Sequence, residues 1–100
     1  MPTLRQRLPP LNSLVAFEAV ARHGSITQAA AELLVSREAV SRQIHMLEEH
    51  LGTSLFVRVH RAVELTEQGE RFRKIVHPSL ESIAAATDAL NRATGASRVT

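Results

Sequence analysis

No cysteine occurs in the 100-residue chain, so disulfides, thiolate metal ligands and thiol nucleophiles are excluded together. No run of about 18 apolar residues is present, which excludes a membrane-spanning helix. The N-terminal MPTLRQRLPP carries positive charge without an apolar stretch behind it, so it is not a secretory signal, and the expected address is cytoplasmic. Charge of one sign is also lacking: 12 Lys and Arg against 10 Asp and Glu leave a net charge of +2. The pI of about 10.4 reflects arginine titrating late, not a polycation.

Catalytic chemistry finds little to build on. Asp88 is the only aspartate, no Ser–His pair sits in a recognisable loop, and there is no Gly-rich phosphate loop. His45 and His50 crowd one helix with Glu48 and Glu49, but they stand five apart, about 140° around the helix. A shared metal needs the four-residue spacing, so neither a metal nor a cofactor is expected. A domain this small also has little volume for an enzyme's pocket.

With 44% apolar and 22% charged residues, the chain has the composition of one small folded domain. Ser25 to Gly52, SITQAAAELLVSREAVSRQIHMLEEHLG, reads as two helices joined by a tight turn. Ser25 and Gln28 have capping-box spacing, with Ala29, Ala30 and Leu33 on the inner face. The second helix has Ser36 as its cap, Val35 and Val40 as a hydrophobic staple, and Gly52 to close it. Val40, Ile44, Leu47 and Leu51 form one core-facing stripe, opposite Glu38, Arg42, His45 and Glu49. Alanines at 29 and 30 let the two helices approach closely. This is the pattern of a helix-turn-helix, whose second helix is offered to a DNA major groove. Arg37 and Arg42 near its start, with Glu48 and Glu49 near its end, tip the N-terminal half toward phosphate.

The flanking segments complete a domain. Met1 to Pro10 reads as a loose arm with Pro9-Pro10 as a breaker. Asn12 is the expected cap of a scaffold helix through His23, with Leu14, Phe17, Val20 and Ala21 on one face and Gly24 at its end. Thr53 to Thr66 suggests two short strands around Val59 to Arg61. Docked on the helices they make a wing, with Leu55, Phe56, Val63 and Leu65 inside and Arg58, His60 and Arg61 projecting. Thr66 caps a last helix, 67–93, whose residues Val76, Leu80, Ile83, Thr87 and Leu90 alternate steps of four and three, a heptad seam for a homodimer. Pro78 is expected to kink that helix or open one turn. The fold class is therefore mainly α: a winged helix-turn-helix at 1–66, a long dimerisation linker helix at 67–93 and a flexible tail at 94–100.

The stretch LNSLVAFEAVARHGSITQAAAELLVSREAVSRQIHMLEEHLGTSLFVR and then RAVELTEQG, Leu11 to Gly69, resembles the N-terminal winged helix-turn-helix of LysR-type transcriptional regulators. Leu11-Asn12-Ser13-Leu14, Phe56-Val57-Arg58 and the proline in the last helix look most like the branch of glycine-cleavage and beta-lactamase activators. The resemblance implies that Ser36, Arg37, Glu38, Ala39, Ser41 and Arg42 face DNA. It also implies that Ser25 and Thr27 meet phosphate and that Arg58 and Arg61 belong to the wing, where Arg61 can alternatively enter a minor groove. Arg37-Glu38 departs from the family's usual Gln and small residue after the cap. Arginine can fork to guanine and glutamate can accept from cytosine, so base preference there is not copied from relatives.

The implied partners are double-stranded DNA with a dyad-symmetric site, a second copy of the chain, and RNA polymerase for a full-length parent. Full-length members add a two-lobed effector-binding domain, for which 100 residues leave no room, so no small-molecule effector is expected here. The alternative from another class is a short helical interaction module that pairs with a full-length regulator through residues 67–93 and titrates it.

Overall fold

Apolar residues at three- and four-residue spacing give the helices of the computed structural model, which describes residues 1–94. In chain order the elements are α1 (Leu4–Arg7), α2 (Leu11–His23), α3 (Ile26–Leu33), α4 (Arg37–Leu51), β1 (Phe56–Val59), β2 (Ala62–Leu65) and α5 (Glu67–Ala93). Of the expected tail, Thr94 caps α5 and 95–100 lie outside the described residues. No helix among the described residues is long and apolar enough to cross a membrane.

The amino end departs from expectation twice. The arm contains the one-turn helix α1, because Thr3 and Gln6 exchange the two bonds of a capping box. Helix α2 starts at Leu11 and not after Asn12, with Pro10 as its N-cap. The Pro10 carbonyl accepts from the Ser13 and Leu14 amides, and proline's fixed φ suits that entry. Pro9-Pro10 therefore breaks one helix and begins the next.

Helix α2 is the hub, packed against α3, α4, α5 and β2. Phe17 lies at its centre, fully buried. Its ring stands 5.5 Å from Phe56 and 5.3 Å from Phe72, both tilted. The chain's three phenylalanines thus join the scaffold helix, the root of the wing and the start of α5 in one contact series. Ala29 and Ala30 are buried as the close approach of α3 requires, and Val40, Ile44 and Leu47 of α4 enter the same core. Leu51 is only partly buried at its edge.

Strands β1 and β2 pair antiparallel in the register Phe56↔Leu65, Val57↔Glu64, Arg58↔Val63, Val59↔Ala62. His60 and Arg61 make the turn, His60 at φ 51. Side chains alternate across a ribbon, so Phe56, Arg58, Val63 and Leu65 share the inner face. Helix α5 begins on Thr66, whose hydroxyl accepts from the Gly69 amide at 3.0 Å. It continues unbroken through Pro78, which can donate no amide hydrogen to the Lys74 carbonyl. Every residue from Glu81 to Ala93 is exposed, so its second half stands clear of the domain.

Candidate nucleic-acid interface

Two helix N-termini and the wing converge on one polar cleft of about 400 Å³. Its lining includes Ser25 and Thr27 of the α3 start, Arg37, Glu38 and Ser41 of α4, and Arg58 and Arg61 of the wing. Three guanidinium groups face one carboxylate there, beside the positive ends of two helix dipoles. Ser25 Oγ accepts from the Gln28 amide at 3.1 Å and Ser36 Oγ from the Ala39 amide at 3.0 Å. Each hydroxyl still has its own hydrogen to donate outward. The return bond that would complete a capping box from Gln28 is not formed among the described residues.

The cleft arginines carry no ion pair among the described residues, a state they share with Arg5, Arg7 and Arg92. Arg22, Arg71 and Arg73 are bound by carboxylates. Among the described residues no ion pair engages Arg37, Arg42, Arg58 or Arg61. Arg37, Arg42 and Glu38 are exposed, while Ala39 and Ser41 are half-buried on the flank of α4. The cleft lining leaves out Ser36, Ala39, Arg42 and His60. His60 is exposed at the wing tip, and Arg58, expected to project, is exposed too, on the ribbon face it shares with Val63 and within the cleft lining.

Several supporting residues escaped the sequence reading. Ser13, fully buried, donates to Gln43 Oε1 at 2.8 Å and so fixes the roll of α4 on α2. Its spacing with Ala16, Phe17 and Val20 already placed it on the inner face. Leu34 takes the left-handed conformation that closes α3, at φ 60, which no glycine signals. Glu48, read as an open charge near the end of α4, accepts instead from backbone amides of Leu55 and Phe56. Glu18 and Glu32 both bind Arg22, and His77 Nδ1 donates to Glu18 at 2.9 Å, tying α2, α3 and α5 together. Arg22 holds both carboxyls low, Glu32 at about 2 with further help from His23.

The expected dimerisation seam needs a correction. Val76 is 6% exposed, and both Val76 and Leu80 pack on the chain's own core. The N-terminal part of α5 lies against α2 and β2, so these two residues are already covered. Ile83, Thr87 and Leu90 remain exposed. The Thr87 hydroxyl donates to the Ile83 carbonyl at 2.8 Å, which satisfies its polar atom within the helix.

Residues 11–70 match the family described as "Bacterial regulatory helix-turn-helix protein, lysR family". The chain is 48% identical over 85 residues to a glycine cleavage system transcriptional activator homolog of Haemophilus influenzae, covering 85% of this chain and 28% of that protein. It is 51% identical over 75 residues to the transcriptional activator AmpR of Pseudomonas aeruginosa, covering 75% of this chain and 25% of that protein. The chain thus spans about a quarter of the length of the curated relatives it matches. Among solved structures, a BenM DNA-binding domain with catB site 1 DNA superposes with TM-score 0.77 at 31% identity, covering 89% of this chain and 99% of that one. A CbnR DNA-binding domain complexed with DNA gives TM-score 0.73 at 35% identity, covering 85% and 98%. The winged helix-turn-helix built from these residues therefore belongs to the LysR family of bacterial regulatory proteins, of which it is the DNA-binding domain.

Proposed function

We propose that this chain binds double-stranded DNA sequence-specifically as a homodimer, as the DNA-reading portion of a longer transcriptional regulator. The observation that carries the reading is the convergence of Arg37, Arg58 and Arg61, all unpaired among the described residues, with the α3 and α4 N-termini at one cleft. Phosphate contacts from Ser25, Thr27, Arg58 and Arg61 set the register, and the first turns of α4, Ser36 to Arg42, read base edges in the major groove. Two copies joined through the exposed second half of α5 present two such helices to a dyad-symmetric site. RNA polymerase is a further partner of the full-length parent, and no reaction is assigned to the chain.

Gel mobility shift on a dyad-symmetric duplex and a scrambled control, across a salt series, tests this. Preference for the dyad site that survives raised salt is the expected result. Equal affinity for both duplexes removes sequence specificity, and no shift on either removes DNA binding. The exposed Ile83 and Leu90 favour pairing in their own right, so pairing in the last case leaves the chain as a helical module that titrates a regulator.

A further inference from the structure

We propose that Glu48 is a positioning residue that holds the wing at a set distance from α4, so that Arg58 and Arg61 meet the same duplex as Arg37; this rests on the DNA-binding reading above. Glu48 lies in the last turn of α4, where a carboxylate opposes the helix dipole. Its Oε2 is compensated by the Leu55 amide at 2.7 Å and the Phe56 amide at 3.3 Å, at the root of β1. These are charge-assisted bonds from backbone groups, stronger than neutral ones. The other root of the ribbon is tied to the same spot. Thr66 Oγ1 donates to the Ser54 carbonyl at 2.8 Å, and the Thr66 amide donates to the Leu55 carbonyl at 2.9 Å.

Beyond this root the wing and α4 are held apart. A cleft of about 190 Å³, with Ile44, His45 and Glu48 on one side and Phe56 and Arg58 on the other, lies between them. Strand β2 has a second anchor, the Val63 amide on the Gly24 carbonyl at 3.3 Å, but that bond sets the ribbon against the α2–α3 turn. Among the described residues, Glu48 makes the only side-chain hydrogen bonds from α4 to the ribbon. From Phe56 to His60 a strand reaches about 13 Å, so a rotation of about 10° at its root moves the tip by about 2 Å. That displacement breaks a hydrogen bond to phosphate, whose range is narrower.

The test is the slope of log affinity against log salt for the whole chain on one duplex. The variants are Glu48→Leu, Glu48→Gln, the double change Arg58→Ala with Arg61→Ala, and Glu48→Leu combined with that double change. Losing the two wing arginines lowers the slope by about two per protomer. Glu48→Leu alone is expected to lower it as much, and the combined variant no further. Glu48→Gln, which keeps an acceptor at the same reach, is expected to restore the original slope. A Glu48→Leu slope equal to the unmodified chain's, or a further fall of about two in the combined variant, overturns the positioning role. If the arginine changes alone leave the slope unaltered, the wing does not touch DNA, and that part of the functional reading falls with this proposal. Should circular dichroism show Glu48→Leu unfolded, Glu48→Asp, charged but one methylene short, takes its place with the same two outcomes.

Discussion

At the residue scale, some arginines are bound by carboxylates and others have no ion pair among the described residues. Arg37 has no carboxylate partner among the described residues and stands exposed at the first turn of α4, so its removal leaves the fold intact. Arg37→Ala should weaken binding to a cognate site by about 1–3 kcal/mol, with a smaller loss on random DNA. Competition titrations check this, and equal losses reassign Arg37 to phosphate. Arg22 does the opposite work, bridging Glu18 and Glu32. Glu32 is held at about 2, below its ordinary 4.5, first by Arg22 and then by His23. A depressed carboxyl contributes stability above its unfolded pKa and loses it as pH falls through the folded one. Melting temperature should therefore drop between about pH 4.5 and 2, and Glu32→Gln should flatten that part of the curve. Since both partners are well exposed, at 43% and 39%, the effect is small and weakens in salt.

At the element scale, the junction between the wing and α5 leaves no room for a side chain at Gly69. A Cβ on Gly69 would fall 2.2 Å from the Leu55 carbonyl oxygen and 2.9 Å from Leu65 Cδ2. Helix propensity alone favours Gly→Ala by about 1 kcal/mol, while forced overpacking costs about 1–3 kcal/mol. Backbone cannot yield as a flexible side chain does, so the clash wins. Gly69→Ala should destabilise by up to about 2 kcal/mol net, read by urea denaturation, and a gain in stability would show that α5 can shift away. Propensity read from the residues alone predicts the wrong sign here, because the Leu55 carbonyl comes from 14 positions earlier. The α2 boundary teaches a related lesson. Asn12 is a good capping residue, yet Pro10 supplies the carbonyl and the fixed φ, and covalent geometry outranks a side-chain preference.

At the scale of the whole molecule, the extents of 47 × 38 × 21 Å describe a thin body with half of α5 standing off it. Exposed Ile83 and Leu90 lie seven apart on that free half, one heptad. Changing both to Asp should turn a dimer into a monomer in sedimentation and cost affinity for a dyad-symmetric site, while the melting of the domain stays near its original value. A variant that still sediments as a dimer places the pairing surface elsewhere. The same changes at Val76 and Leu80 would unfold the domain, because these residues belong to its core.

Periodicity and caps are local, and they were enough to determine the helix-turn-helix, the ribbon, the start of α5 on Thr66 and the arginines near the start of α4. Each depends on residues within about a turn of one another. What only the tertiary structure decided joins distant parts: Glu48 on the wing root, Ser13 on Gln43, Arg22 between two carboxylates, and the division of the α5 seam into a core half and a free half. A heptad pattern shows that a stripe is apolar. Whether its own domain or another molecule covers that stripe depends on where the rest of the chain lies.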